Sequence, residues 1–139
     1  MNNLIASLIE LFGSSTVLTG VDISEKYHAD WSGADPCQPL ALLKPKTTQQ
    51  LSEIMALCHK HDQPVVIQGG LTGLAGGATP QSGEIAISLE RMNGIEELDV
   101  TAMTVTALAG TPLQVLQDSA DGAELFLPLD LGARGSCNI

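Results

Sequence analysis

Basic side chains are scarce in this sequence: six Lys and Arg stand against sixteen Asp and Glu, a formal net charge of −10. Nucleic acids and anionic membrane surfaces are held by clustered Lys and Arg, so neither is an expected partner. Aromatics make up only 3% of a chain that is 44% hydrophobic, so the core has to come from Leu, Ile, Val and Ala. Cysteines number three: Cys37 in a Pro-flanked loop, Cys58 on a helix face and Cys137 near the end. That odd count without metal-ligand spacing implies no disulfide framework and no metal site, and a reduced, cytoplasmic protein is expected. No stretch approaches the ~20 apolar residues of a membrane-spanning helix. The apolar N-terminal run has no basic residues ahead of it and is interrupted by Glu10, which argues against a signal peptide.

What the chain has in excess is glycine, fourteen in all, above a usual share of about 7%. Five of them fall within Gly69–Gly77, directly after the apolar run Val65-Val66-Ile67. Around this cluster the periodicity reads as follows. Leu4, Ile5, Leu8, Ile9, Leu11 and Phe12 fit an amphipathic helix stopped by Gly13. A polar, turn-rich wrap runs to Pro39, with His28 and Asp30 as surface or packing residues. Leu40–Leu43 reads as a buried strand. Thr47 or Thr48 offers an N-cap for a helix carrying Leu51, Ile54, Met55 and Cys58 and ending near His61. With the strand from Val65 this makes a parallel βαβ unit. Beyond the glycines, Glu84–Leu89, Ile95–Val100 and Met103–Leu108 read as strands. Thr111-Pro112 starts a helix as cap and first residue, and Glu124–Leu127 is a last short strand. The expected fold class is α+β: a small parallel βαβ subdomain, then the start of a mostly antiparallel, strand-rich subdomain. The divisions are 1–35 (helix and wrap), 36–80 (βαβ and glycine loop) and 81–139 (second subdomain). The loop with Gly132, Gly135 and Ile139 has nothing after it to pack against, so the second subdomain is expected to be truncated.

Glycines without Cβ let successive backbone N–H groups converge on an anion, and Thr72 adds a hydroxyl. In a protein so poor in cations, neutral donors are what a pyrophosphate site would have to use. Other readings fit less well. Gly70, Gly73 and Gly76 are spaced by threes and no helix pattern follows, unlike the G-x-G-x-x-G dinucleotide fingerprint. Glu90 lies about twenty residues downstream, where that fold keeps a ribose-binding acid. A P-loop needs G-K-[ST], whereas Ala78 follows Gly77. The bland alternative is a glycine-rich turn that only joins two strands. His59 and His61, two apart, diverge on a helix and form no ligand pair. Arg134 stands between two readings: facing a phosphate or substrate carboxylate, or solvated. Cys137 shows no feature that would lower its pKa and is expected to be packed.

The segment "PLALLKPKTTQQLSEIMALCHKHDQPVVIQGGLTGLAGGATP" resembles the opening of the PCMH-type FAD-binding domain of vanillyl-alcohol oxidase-like flavoproteins, and "LPLDLGARGSCNI" is similar to the D-2-hydroxy acid dehydrogenase branch. This resemblance, from about Tyr27 to the last residue, implies FAD as cofactor. It implies a pyrophosphate shell of Gln68, Gly69, Gly70, Leu71, Thr72, Gly73, Leu74, Gly76 and Gly77. The second motif, with Pro128, Asp130, Leu131, Gly135 and Ser136, would continue toward the flavin end. Relatives with covalent FAD often carry histidine after the paired glycines; Leu71 stands there, which implies noncovalent FAD. The resemblance further implies oxidation of a D-2-hydroxy acid (D-lactate, D-2-hydroxyglutarate or glycolate type), with substrate-binding and catalytic residues outside this chain, so none is assigned here. A non-catalytic flavin- or nucleotide-binding module is the alternative.

Overall fold

The structure is a computed structural model and describes residues 3–139. Helix α1 (Asn3–Phe12) buries Leu4, Ile5 and Leu8, positions that share one stripe at helical spacing. It ends as expected at Gly13, whose φ of 77° suits the left-handed position after a helix while its N–H returns to the Ile9 carbonyl. Helix α2 (Thr48–Lys60) is capped by Thr47, whose hydroxyl accepts from the Gln50 N–H at 3.2 Å.

Strands β1 (Val17–Leu18), β2 (Leu42–Leu43), β3 (Val65–Gln68) and β4 (Ile85–Ser88) form one sheet in the order β1-β2-β4-β3. β4 pairs in parallel with both β2 and β3, and β1 is antiparallel to β2. The expected βαβ unit is therefore present, but with β4 inserted between its two strands. Periodicity had grouped 84–89 with the antiparallel strands; the pairing places β4 at the centre of the first sheet. All four of its residues are buried, as befits a parallel strand covered on both faces. On one face Ile85, Ile87 and Leu43 pack with Leu4, Leu8, Ile54 and Cys58 of the helices. On the other, Ala86, Leu42 and Val66 pack with Ile23 and Tyr27 from the wrap. Each large apolar side chain so buried contributes roughly 1.5–3 kcal/mol.

Strands β5 (Ile95–Asp99) and β6 (Thr104–Ala107) make an antiparallel pair with an irregularity at Ile95/Glu97. Asp99 closes their turn by accepting from the Thr101 and Ala102 N–H groups, both at 2.9 Å. Helix α3 (Leu113–Gly122) follows and buries Leu113 and Leu116. Two expectations fail here. Pro112, with no side-chain bond, is the N-cap rather than the first helical residue. Thr111 is fully buried and its hydroxyl instead donates to the Leu108 carbonyl at 2.6 Å and accepts from the Gly94 N–H at 3.0 Å. The strand expected at 124–127 does not form. Glu124 adopts a φ of 58° and the Leu125 N–H closes the helix onto the Ala120 carbonyl at 2.8 Å, so the C-terminal cap takes the groups a strand would need.

Candidate functional site

The glycine loop leaves the carboxyl end of β3, on the edge where parallel β2 and β4 also end, the usual ligand side of parallel strands. Among the described residues, no backbone N–H from Gly69 to Gly77 donates to a protein acceptor. The tip of the loop is open: Leu74 is 77% exposed, and Gly73, Ala75 and Gly77 are exposed. The Leu71 side chain packs inward, half-buried against the cluster of Tyr27, Leu42 and Val66, with a φ of 58°. The Gln68 side chain is fully buried and braces the loop from behind, its Nε2 donating to the Tyr27 and Ala78 carbonyls, both at 2.9 Å.

Positive φ is not what most of these glycines supply; of the five, only Gly76, at 79°, takes it. Gly70 permits close approach. A Cβ there would overlap the Ser136 carbonyl oxygen and lie 2.7 Å from its carbon. A Cβ at Gly69 would lie 3.5 Å from the Asn138 side chain, an ordinary contact. The two separate motifs therefore meet, at Gly69-Gly70 and Ser136–Asn138.

The second motif also caps α3. The Leu113 N–H donates to the Cys137 carbonyl at 3.0 Å and the Gln114 N–H to the Arg134 carbonyl at 2.9 Å. A helix N-terminus is a ready anion site only while such donors are free, so α3 offers none there. Pro128, Leu129, Asp130 and Arg134 line a cleft of about 350 Å³ with Gln114, Gln117 and Phe126. Leu131 is 46% exposed and Gly135 is open. The Arg134 guanidinium pairs with Asp130 at 2.7 Å and is half-exposed, a local brace of the kind worth about 0–1 kcal/mol.

Glu90 is committed elsewhere than a ribose. Its carboxylate accepts from the Lys44 Nζ at 2.8 Å, the Lys26 Nζ at 3.1 Å and the Tyr27 hydroxyl at 2.8 Å. Both ammonium groups also sit over the Tyr27 ring, 4.5 and 4.6 Å from its centroid. Burial pushes the Glu90 carboxyl up, but bonds from Lys44, Tyr27 and Lys26 outweigh it and hold the pKa at about 2, below the usual 4.5. The unfolded chain thus binds a proton that the folded chain refuses, and the stability from this cluster is complete above pH 4.5 and lost as pH falls toward 2. Glu90→Gln is therefore expected to lower stability at pH 7 and flatten the acid limb of a urea-unfolding series. An unchanged limb would show that the cluster contributes nothing.

The profile of the family described as FAD binding domain matches residues 39–139. The chain belongs to the FAD binding domain family. A mitochondrial D-2-hydroxyglutarate dehydrogenase of Danio rerio is 36% identical over 122 residues, 88% of this chain and 23% of the relative. The Xanthomonas citri D-2-hydroxyglutarate dehydrogenase is 36% identical over 115 residues, 83% of this chain and 24% of the relative. The FAD binding domain chain thus spans about a quarter of the length of these curated relatives. Among solved structures, an alkyldihydroxyacetonephosphate synthase superposes with a TM-score of 0.84 at 16% identity, over 99% of this chain and 30% of that one. A p-cresol methylhydroxylase superposes at 0.79 with 21% identity, over 97% of this chain and 27% of that one. At these identities the superpositions establish the shared α+β fold.

Sequence reading of this FAD binding domain missed Asp30, Ser32, Thr79 and Asn138. Asp30, expected as a surface or packing residue, is 8% exposed and its carboxylate lies against the loop. Ser32, through its hydroxyl and N–H, then Ala78 and Thr79, hold its pKa at about 2, against a usual 3.8. The one local sign was the turn-forming run Asp30-Trp31-Ser32-Gly33. Among the described residues no helix is long and apolar enough to cross a membrane.

Proposed function

We propose that this chain forms the pyrophosphate side of a noncovalent FAD site in an oxidoreductase acting on a D-2-hydroxy acid of the D-lactate, D-2-hydroxyglutarate or glycolate type. The observation that carries this reading is the row of N–H groups from Gly69 to Gly77 without protein acceptors, at the carboxyl end of a parallel strand. A pyrophosphate would supply acceptors for several of these N–H groups at once. In this reading Gly69, Gly70, Leu71, Thr72, Gly73, Leu74, Gly76 and Gly77 bind through backbone N–H, Thr72 adds its hydroxyl, and Gln68 braces from behind. Gly135 and Ser136 continue the cradle, with Pro128, Asp130 and Leu131 beyond them. Leu71 supports noncovalent attachment, because it occupies the position after the paired glycines and carries no nucleophile. The chemistry FAD supplies when bound is acceptance of a hydride from the substrate's α-carbon. This chain's residues bind and orient. The substrate class is supported by the relatives named as D-2-hydroxyglutarate dehydrogenases. Three free cysteines suit a reducing compartment, the cytoplasm in our reading.

Titrating the chain with FAD and following amide resonances by NMR tests the cradle. Saturable shifts confined to Gly69–Gly77 and Ser136–Asn138 are expected, with affinity too weak to hold flavin through gel filtration. No shift in the loop would sink the assignment, and a stoichiometrically yellow sample would show that the chain is more than one side of the site. A dye-coupled assay of a longer protein carrying this segment, against a panel of D-2-hydroxy acids, decides the substrate.

A further inference from the structure

The return arm of the glycine loop is held by a residue from the N-terminal wrap. The Asp30 carboxylate accepts from the Ala78 N–H through Oδ2 at 3.2 Å, and through Oδ1 from the Thr79 hydroxyl at 3.2 Å and the Ser32 N–H at 3.0 Å. The Thr79 Oγ1 in turn accepts from the Asp30 N–H at 3.1 Å. Ala78 is thereby gripped on both sides, its N–H by Asp30 and its carbonyl by Gln68. These bonds cross 48 and 49 residues of chain, so they impose a shape that local sequence cannot. Among the described residues no Lys or Arg pairs with Asp30; neutral donors alone hold the charge.

Ordering a free backbone costs conformational entropy, and a loop ordered only by its ligand shows that cost as lost affinity. We propose that Asp30 is a positioning residue for the cofactor: by drawing the Ala78 N–H inward it sets the loop so that the N–H groups of Gly69–Gly77 remain turned toward a single anion. This role rests on the reading of the loop as a pyrophosphate cradle. It also runs against simple electrostatics. Gly73 lies 3.5 Å from the Asp30 Oδ2, measured from the position a Cβ would take, so the carboxylate sits beneath the loop, where its charge repels a phosphate. Removing that charge strengthens binding if repulsion dominates and weakens it if positioning dominates.

Asp30→Asn and Thr79→Val separate the two, the second removing one arm of the clamp while leaving the charge. Both are titrated with FAD by NMR at a temperature where the Ala86 and Leu89 amides stay protected, alongside hydrogen exchange of the Ala78 N–H. Expected are faster exchange at Ala78 and an FAD Kd about tenfold weaker in Asp30→Asn, the scale of one charged hydrogen bond, with a smaller loss in Thr79→Val. An unchanged or tighter Kd in Asp30→Asn, or Ala78 exchange like the parent's, overturns the proposal. If Asp30→Asn does not fold, Thr79→Val decides: weaker binding supports the clamp and an unchanged Kd overturns it. Failure of the cradle reading itself appears separately, as parent-chain shifts that avoid the loop, and removes this role with it.

Discussion

Gly70→Ala is expected to pull the two halves of the cradle apart. The added methyl would collide with the Ser136 carbonyl and lie 3.0 Å from the Cys137 Cα. These are backbone atoms, so neither side yields by a rotamer change. Overpacking of this kind costs about 1–3 kcal/mol. If the segment around Ser136 moves away, the Leu113 and Gln114 N–H groups lose the Cys137 and Arg134 carbonyls, at about 0.5–1.5 kcal/mol for each bond. The expected signature is a lower melting temperature together with fast hydrogen exchange at Leu113 and Gln114. Gly77→Ala is the control, since nothing lies within 4 Å of the new atom and its effect should stay within about 0.5 kcal/mol. Equal melting of the two variants would refute the contact between the motifs.

The second large effect is expected at Gly110, where the first sheet meets the β5–β6 pair. A Cβ there would overlap the Leu89 carbonyl oxygen, 2.6 Å from its carbon and 2.8 Å from the Met92 carbonyl oxygen. The Gly110 N–H already donates to that Met92 carbonyl at 2.8 Å, and the neighbouring Thr111 hydroxyl ties Gly94 to Leu108. Gly110→Ala therefore disturbs a whole junction. We expect a loss of about 1–3 kcal/mol, a large part of the roughly 5–15 kcal/mol that a domain has in total. Exchange should quicken first at the Leu108 N–H, which is bonded to Gly94, while β3–β4 amides hold. Uniform loss of protection across both sheets would instead mean that they unfold as one unit.

Features written in local patterns were legible before the structure. The α1 stripe and its Gly13 stop, the Thr47 cap and the strand before Gly69 all depend on neighbours within one or two helical turns. The β1 strand, two residues long, is too short to show a period. The β4 residues are buried on both faces, and such a run says nothing of which strands flank it. In the site, the glycine cluster announced a place where backbone comes close to something, but the sequence alone suggested only an anion as the reason. At Gly70 the reason is Ser136, far along the chain. Asp30 was illegible for the same cause: its partners Ala78 and Thr79 are brought to it by the sheet.

The unbonded N–H groups of the glycine loop have a consequence for ionic strength. A phosphate at that surface is attracted by neutral dipoles at contact, and repelled from a distance by a net charge of −10. Salt screens what lies beyond a Debye length of about 8 Å at physiological strength and barely touches a bond between neighbouring atoms. Added salt therefore removes the repulsion and leaves the attraction, the reverse of its action on a phosphate site lined with lysines.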